Sequence, residues 1–207
     1  MVPQTMIRPF LADIQGNLSN SKKIEIIDSH VSAILEILGL DLEDESIRQT
    51  PHRVATMYVN EVFSGLDPSL KPKMTLFGNN YGYKEMLLEK DITFFSYCEH
   101  HLIPFYGKAH IAYFPKQYVV GLSKLNRFVK YAAKKPQVQE RLTVEICTEM
   151  QRVLQTEDVA VALEAMHLCI ASRGVEDVNS ITKTSCFGGK FEEREIKNEF
   201  LRQIESK

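Results

Sequence analysis

Cysteine and histidine residues lie close together at two places in this chain, and their side chains are the ones that zinc prefers as ligands. The first place is residues 96–107, which contain Cys98, His100 and His101. A thiolate and an imidazole three residues apart can reach the same ion when the chain turns tightly between them. Two such ligands do not complete a tetrahedral site, so a metal would need further ligands from elsewhere in the sequence.

The second place is an apolar run, residues 159–170, which contains His167 and Cys169. The run predicts a β-strand, in which side chains two residues apart share one face of the sheet. If this face meets the first cluster, Cys98, His101 and Cys169 form a set of two thiolates and one imidazole with one position open. An open position distinguishes a catalytic zinc site from a structural one.

Two histidines, His100 and His167, would remain beside such a metal and could carry protons, since imidazole titrates near neutral pH. Two other interpretations stay open. A cysteine on a strand is usually a small core residue, and this applies to Cys169. A disulfide between Cys98 and Cys169 is also conceivable, but four cysteines in 207 residues without a secretory segment argue against structural disulfides.

Composition limits the class of protein. The hydrophobic content of 44% is sufficient for a substantial core. A net charge of -2 and an isoelectric point near 6.3 argue against a nucleic-acid coat or a membrane-surface protein. No run is long enough to span a membrane, and residues 1–20 lack the apolar stretch of a signal peptide. We therefore expect a cytoplasmic protein that binds neither nucleic acid nor membranes.

Helical patterns precede the first cluster. Residues 1–21 lack periodicity and predict a loosely held arm. Apolar spacing predicts one helix over residues 22–38 and a second that begins with Thr50 as its N-cap. Arg53 lies in the first turn of the second helix, where a cation opposes the helix dipole, so it either holds an anion or is simply solvated. Residues 66–89 predict a connection without long elements.

Two strands, residues 91–97 and 107–114, flank the first cluster and predict an antiparallel pair. A helix follows, with Ser123 as its predicted N-cap and with Lys124 and Arg127 on one face of its first turns. Cations at this end of a helix are unfavourable unless they bind an anion, which the helix N-terminus also attracts. A solvated basic face is the alternative.

The remaining elements complete an α+β pattern. A predicted helix over residues 136–154 carries Glu140 in its first turn, and the strand over 159–170 follows. A strand over 180–187 and a helix over 192–205 end the pattern. We predict a four-stranded antiparallel sheet with two helices on one face. The two open edges of such a sheet must be covered, and association of subunits would cover them.

Several segments in combination resemble the signature motifs of the GTP cyclohydrolase I family. The resemblance extends from about the second helix to residues 200–202. It implies a tunnelling fold (T-fold), in which the sheets of five subunits join into a barrel and two such rings form a decamer. Residues 22–207 would form one domain, with a helical part over 22–89 and a catalytic part over 90–207. The segments are Cys98-Glu-His-His101, Gly121-Leu-Ser-Lys124 with Arg127, residues 136–143, and His167-Leu-Cys169 with Arg173.

The resemblance also implies a reaction, the conversion of GTP and water to formate and 7,8-dihydroneopterin triphosphate, which is the first step of folate or tetrahydropterin biosynthesis. Zinc on Cys98, His101 and Cys169 would activate water for attack on C8 of guanine. The proton carriers it implies are His100, His167 and Ser123. The substrate-binding residues it implies are Gln139, Glu140, Ser123, Lys124, Arg127, Arg173 and Arg53, with the cations among them on the triphosphate.

Three alternatives remain at this point. A related tunnelling-fold enzyme, the nitrile reductase of deazaguanine synthesis, uses a nucleophilic cysteine and nicotinamide, whereas the cysteines here are spaced as metal ligands. A GTP-binding paralogue without activity would not need the proton carriers. A structural zinc module would need a fourth protein ligand.

Replacement of Glu140 by alanine tests the implied recognition of guanine. The carboxylate would accept hydrogen bonds from N1–H and the 2-amino group of guanine, a pair of donors that adenine lacks. Because two hydrogen bonds to a charged group contribute about 1.5–3 kcal/mol each, Glu140→Ala should weaken GTP binding by about 100-fold or more and reduce discrimination against ATP. Competition binding with both nucleotides checks this, and unchanged discrimination would contradict the role.

Overall fold

Residues 18–206 are described by the computed structural model of this chain, so the predicted arm over residues 1–21 lies mostly outside the described residues. Within the described range, no helix is both long enough and apolar enough to cross a membrane. Contacts between residues divide the chain into two compact units, and the boundary lies between Phe63 and Ser64.

Helix α1 (Asn20–Ile37) opens the first unit. It begins after Ser19, whose Oγ accepts a hydrogen bond from the backbone N–H of Lys22 and so caps the first turn. It ends before Gly39, which adopts φ +85°. Glycine reaches this left-handed region without steric cost, and this explains why the helix stops there. The predicted helix over residues 22–38 is confirmed.

Helix α2 (Thr50–Met57) completes the first unit and continues into a π-helical turn (Tyr58–Val62). The prediction of a helix here is confirmed, but its N-cap is Gln49 and not Thr50. The reason is that the carbonyl of Gln49 already accepts the N–H of Arg53, so the first helical turn starts one residue earlier than the sequence pattern indicated.

A five-stranded sheet forms the framework of the second unit, beside a separate two-stranded sheet. In the larger sheet the strand order is β5-β2-β3-β6-β7, and the smaller sheet pairs β1 with β4. Neighbours β2, β3, β6 and β7 are antiparallel, whereas β5 is parallel to β2. The strands are β1 (Leu76–Gly78), β2 (Leu87–Cys98), β3 (Pro104–Tyr113), β4 (Tyr118–Val120), β5 (Pro136–Gln137), β6 (Val159–His167) and β7 (Thr182–Phe187).

The four strands that the sequence predicted therefore pair antiparallel, and the structure adds three short strands. β1, β4 and β5 have two or three residues each, so no alternation of polar and apolar residues can develop in them. The predicted antiparallel sheet becomes a mixed sheet because residues 136 and 137 extend along the edge of β2 before the next helix starts.

Helices cover the sheet from both sides. The second unit contains α3 (Leu122–Ala133), α4 (Gln139–Leu154), the single-turn α5 (Leu168–Ala171) and α6 (Arg194–Glu205). Side chains of α3 and α4 pack with one face of the sheet in the main core, where Phe94 and Phe105 meet edge to face with ring centroids 6.1 Å apart. The opposite face, which includes Ala112 and Ala160, packs with Phe200 of α6.

Close approach of two backbones requires a glycine in the centre of the sheet. Gly107 of β3 pairs with Ala165 of β6, and a Cβ atom at position 107 would collide with the backbone of Glu164 and Ala165. A backbone in a paired strand cannot move aside without loss of its hydrogen bonds. Strand β3 can therefore keep its register with β6 only if residue 107 is glycine.

Gly107→Ala should consequently destabilise the protein. Overpacking of a core costs about 1–3 kcal/mol, and a clash with backbone lies at the upper end. For a chain of this size, each kcal/mol lowers Tm by about 2–4 °C, so we expect a decrease of about 6–12 °C in a thermal melt. Gly78→Ala is the matched control, because a Cβ there meets only the end of the Asn80 side chain. Equal melting temperatures for both variants would contradict this account of the sheet.

Candidate metal centre

A tight turn connects β2 to β3 and holds the first cluster of metal-ligand side chains. Cys98 is the last residue of β2 and is 7% exposed. Its carbonyl accepts the N–H of Leu102 at 2.8 Å, and its own N–H donates to the carbonyl of Ile103 at 2.9 Å. Leu102 adopts φ +53°, the left-handed conformation that reverses the chain. The turn brings Nδ1 of His101 to 3.8 Å from the Cys98 sulfur.

Cys169 reaches the same place from a helix, and the prediction that it lies on a strand with His167 is wrong. Strand β6 ends at His167, and Cys169 lies in α5. The last strand pair of β6 with β7 joins Ala165 to Thr182, and the last with β3 joins Phe105 to His167. Beyond that point the chain has no partner strand, so its backbone groups are satisfied within a helical turn instead.

The two segments place three candidate ligands together. The ligand atoms of Cys98, His101 and Cys169 all lie within 4.8 Å of one another. Around a tetrahedral zinc ion, a sulfur and a nitrogen ligand are about 3.6 Å apart, given bond lengths of about 2.3 and 2.05 Å. The observed 3.8 Å between Cys98 and His101 fits this geometry. Within residues 18–206 no other trio of cysteine, histidine or acidic side chains meets the same condition.

His100 lies beside this cluster without belonging to it. Its Nδ1 is 3.5 Å from the sulfur of Cys98, but the group whose atoms all lie within mutual reach contains His101 instead. The roles of His101 as a ligand and of His100 as a proton carrier stay predictions. Burial and the neighbouring thiol of Cys98 raise the pKa of Cys169.

His167 occupies a half-buried position at the end of β6. Its ring stacks on that of Phe105, with centroids 4.6 Å apart and planes 2° apart. Burial lowers the pKa of His167, and the nearby carboxylate of Glu140 opposes this only in part. A lowered pKa keeps the imidazole neutral at physiological pH, so that one nitrogen can accept a proton and the other can donate one.

Gln139 was expected to bind substrate, yet its side chain is 1% exposed and bonded to protein groups throughout. Its amide nitrogen donates to the carbonyls of Leu163 and Thr182, and its Oε1 lies 2.8 Å from Nε2 of His167. Because the side chain is engaged in this way, a contact between Gln139 and the substrate would have to use its backbone, at the first position of α4. The role in substrate binding stays a prediction.

Three other predicted substrate-binding residues occupy exposed positions at or next to helix ends. Glu140 is the second residue of α4 and is exposed. Arg173 is exposed after α5, with its Nη1 at 3.4 Å from Nε2 of His101. Arg53 lies in the first unit, so the structure of the second unit says nothing about its position at the site. Each of these roles stays a prediction.

The start of α3 carries Ser123, Lys124 and Arg127. The predicted N-cap is wrong, since Gly121 caps the helix and Ser123 is its second residue. The cause is that the carbonyl of Gly121 accepts the N–H of Lys124, while its own N–H is held by Thr75. In the described part of the chain, no ion pair neutralises Lys124 or Arg127, so both charges are available to an anion.

Two residues that the sequence analysis did not single out connect the turn to α4. Arg141 donates to Oε2 of Glu99 at 2.5 Å and to Oε1 of Gln137 at 2.8 Å. The N–H of Glu99 donates to the carbonyl of Gln137 at 3.0 Å. These bonds hold the Cys98 turn against the residues that precede α4. A salt bridge between side chains 42 positions apart leaves no signal in sequence spacing.

A largely antiparallel sheet with helices on its faces defines an α+β protein, and two thiols and an imidazole at the ends of β2 and β6 give it a candidate metal centre. A sequence model of one family, described as GTP cyclohydrolase I, matches residues 27–205. The chain belongs to the GTP cyclohydrolase I family of enzymes.

Curated relatives are similar to this chain over most of its length. GTP cyclohydrolase 1 of Flavobacterium johnsoniae is 54% identical over 91% of this chain and 84% of its own length. GTP cyclohydrolase 1 of Actinobacillus pleuropneumoniae is 52% identical over 88% of this chain and 84% of its own length. Among solved structures, an archaeosine synthase QueF-Like in the apo form covers 50% of this chain and 93% of that chain at 12% identity. Its TM-score of 0.43 is too low to establish a common fold.

Removal of one cluster thiol should abolish metal binding. Cys169→Ser replaces a thiolate ligand by a hydroxyl group, which binds zinc weakly. Loss of a residue that only hydrogen bonds to a ligand already lowers metal affinity about 10–100-fold, so the loss of a ligand should lower zinc affinity by more than about 100-fold. Metal analysis after dialysis checks this. Cys186→Ser is the control, since Cys186 is partly buried in β7 and outside the cluster. Equal zinc contents for the two variants would contradict the ligand assignment.

Proposed function

We propose that this protein uses zinc to hydrolyse and rearrange GTP to 7,8-dihydroneopterin triphosphate and formate, the first step of folate or tetrahydropterin biosynthesis. The main observation is the common location of Cys98, His101 and Cys169 beside a half-buried histidine, His167, at one end of the sheet. Family membership and relatives named GTP cyclohydrolase 1 support the substrate and the reaction type.

The donor set fits zinc, because two sulfurs and one nitrogen leave one of four positions for a water or substrate atom. When bound, zinc would supply Lewis acidity that makes a water molecule nucleophilic near neutral pH. Removal of C8 from guanine as formate breaks both C8–nitrogen bonds and consumes two waters, and the later closure of the new ring by condensation of an amine with a carbonyl returns one of them. Each departing nitrogen gains a proton that comes from these waters, and side chains of the protein can relay it.

His100 and His167 are the proposed proton carriers. Nδ1 of His100 lies 3.5 Å from the Cys98 sulfur, beside the proposed ligands. His167 is held by a stack with Phe105 and by a hydrogen bond to Gln139, and its lowered pKa keeps it neutral before the reaction. A neutral imidazole can accept a proton from one group and return it to another, as the ring opening and reclosure of the ribose require.

Glu140 is the proposed guanine-binding residue. As the second residue of α4, its carboxylate lies in the field of the helix N-terminus, which stabilises negative charge. It is exposed and directly follows Gln139, which contacts His167. A carboxylate here can accept two hydrogen bonds from one edge of guanine.

The triphosphate would bind to cations and a hydroxyl group at the start of α3. Ser123, Lys124 and Arg127 lie within the first two turns, where backbone N–H groups and the helix dipole also favour anions. Arg173, whose Nη1 lies 3.4 Å from Nε2 of His101, would supply a further cation beside the metal centre. Arg53 also belongs to the proposed triphosphate-binding set and need not come from the same chain, since the family resemblance implies active sites at subunit interfaces. Ser123 additionally serves as a candidate for proton transfer to the ribose.

A homodecamer with T-fold barrels is the proposed assembly, located in the cytoplasm. Exposed apolar side chains support association of subunits, since they would otherwise face water. Phe95 and Tyr106 stack at 5.4 Å while 59% and 36% exposed, and Ile37 of α1 is 84% exposed. Strand β7 pairs only with β6 among the described strands, so its second edge remains able to pair with another chain.

Incubation of the zinc-loaded protein with GTP tests the proposal directly. We expect formate and dihydroneopterin triphosphate to form in equal amounts, with about one zinc per chain in a three-ligand site. The measurements are a formate assay, absorbance or fluorescence of the pterin, and metal analysis of the same sample. GTP binding without formate would instead identify a non-catalytic member of the family, and turnover by a fully metal-free sample would overturn the zinc requirement.

A further inference from the structure

The buried amide of Gln139 has one permitted orientation. One end of this amide faces the carbonyl oxygens of Leu163 and Thr182, at 3.3 and 3.0 Å, and both of these atoms can only accept hydrogen bonds. The atom that faces them must therefore be the NH₂ group. The other end, at 2.8 Å from Nε2 of His167, must be the oxygen Oε1. A flipped amide would place three oxygen atoms against one another.

Hydroxyl groups behind Gln139 reinforce this orientation. Oγ1 of Thr143 donates its single proton to the backbone carbonyl of Gln139 at 2.8 Å. Oγ1 of Thr184 lies 2.7 Å from Oγ1 of Thr143, so Thr184 must be the donor in that pair. This leaves the lone pairs of Thr184 to accept from the Gln139 NH₂ group at 3.1 Å. The two hydrogens of the Gln139 NH₂ group are thus shared among three acceptors, the carbonyls of Leu163 and Thr182 and Oγ1 of Thr184, and a flipped amide would lose all three bonds.

We infer that Gln139 is a positioning residue that fixes His167 as the tautomer with hydrogen on Nε2 and a free lone pair on Nδ1. Because Oε1 of Gln139 is an acceptor, the Nε2 atom of His167 must carry a hydrogen to bond with it. The stack with Phe105 holds the ring plane, so the tautomer and the direction of Nδ1 are set together. Within residues 18–206 no protein group hydrogen bonds to that Nδ1 atom.

The inference deepens the proposed function and rests on it, since it assigns the proton exchange of His167 to Nδ1. Nε2 is engaged by Oε1 of Gln139, an amide oxygen that accepts a hydrogen bond but neither gives up nor takes up a proton. Nδ1 is the basic atom of the neutral ring and the one able to take a proton from, or return it to, the substrate. This role also explains why the Gln139 side chain is buried. An amide that also bonded to solvent or substrate could rotate, and it would then no longer hold the His167 ring.

Nitrogen NMR of the intact protein measures the tautomer without any need for turnover. Histidine labelled with ¹⁵N distinguishes protonated from unprotonated ring nitrogens for the six histidines, and a His167→Asn sample assigns the signal. At pH 8, above the ordinary histidine pKa of about 6.5, wild-type His167 should carry hydrogen on Nε2 only. Hydrogen on Nδ1 in the wild-type protein would overturn the inference, and this arm needs no variant to fold.

Two substitutions at position 139 separate positioning from packing. Gln139→Met has a similar shape without an acceptor, so His167 should populate both tautomers. Turnover should then fall about 10–100-fold, with KM for GTP nearly unchanged. Gln139→Glu is the conservative variant, because a carboxylic acid buried among carbonyls stays protonated and can donate to Thr182 while it accepts from His167. It should retain the wild-type tautomer and most of the turnover.

Zinc content measured in each sample shows whether the site is intact. A single Nε2–H tautomer in Gln139→Met, or equal loss of turnover in the Met and Glu variants, would overturn the role of Gln139. Failure of the proposed function is distinguishable, since it appears as absence of formate from the wild-type protein while the NMR comparison still reports on the tautomer.

Discussion

Pairing of β3 with both of its neighbours is the constraint on which the site depends. Hydrogen bonds to β2 on one side and to β6 on the other fix the register, so that Tyr97 is opposite Pro104 and His167 is opposite Phe105. The C-terminal ends of β2 and β6 therefore meet at the same end of the sheet. Cys98 and Cys169, 71 positions apart in the sequence, become neighbours because their strands share a partner. A slip of one residue would turn each side chain to the other face of the sheet.

The start of α4 joins the metal centre to the core beneath it. Position 139 is buried and bonded to β6 and β7, whereas Glu140, the next residue, is exposed. Adjacent positions on a helix differ by about 100° in direction, so one turn can face the interior with an amide and the solvent with a carboxylate. A single helix start thereby supplies both a support for His167 and a candidate contact for the base of the nucleotide.

Prediction from the sequence succeeded where the local pattern of apolar residues was long. The helices over residues 22–38 and 136–154 repeat apolar residues for several turns, and the strands around the first cluster alternate over many residues. It failed where a tertiary partner decides the local structure. The apolar run that ends with Cys169 reads as one strand, yet it becomes a helix after His167 because no neighbouring strand continues beyond that point.

The sequence by itself determined which side chains are available for chemistry, because the types and spacing of Cys98, His101, His167 and Cys169 are local properties of the chain. It also determined most helices and the long strands, since periodic burial is written into the order of apolar residues. Only the tertiary structure decided that Cys98, His101 and Cys169 lie within 4.8 Å of one another, and that the Gln139 side chain faces the core. Distances between distant segments and the direction of a buried hydrogen bond depend on backbone register, which no single stretch of sequence contains.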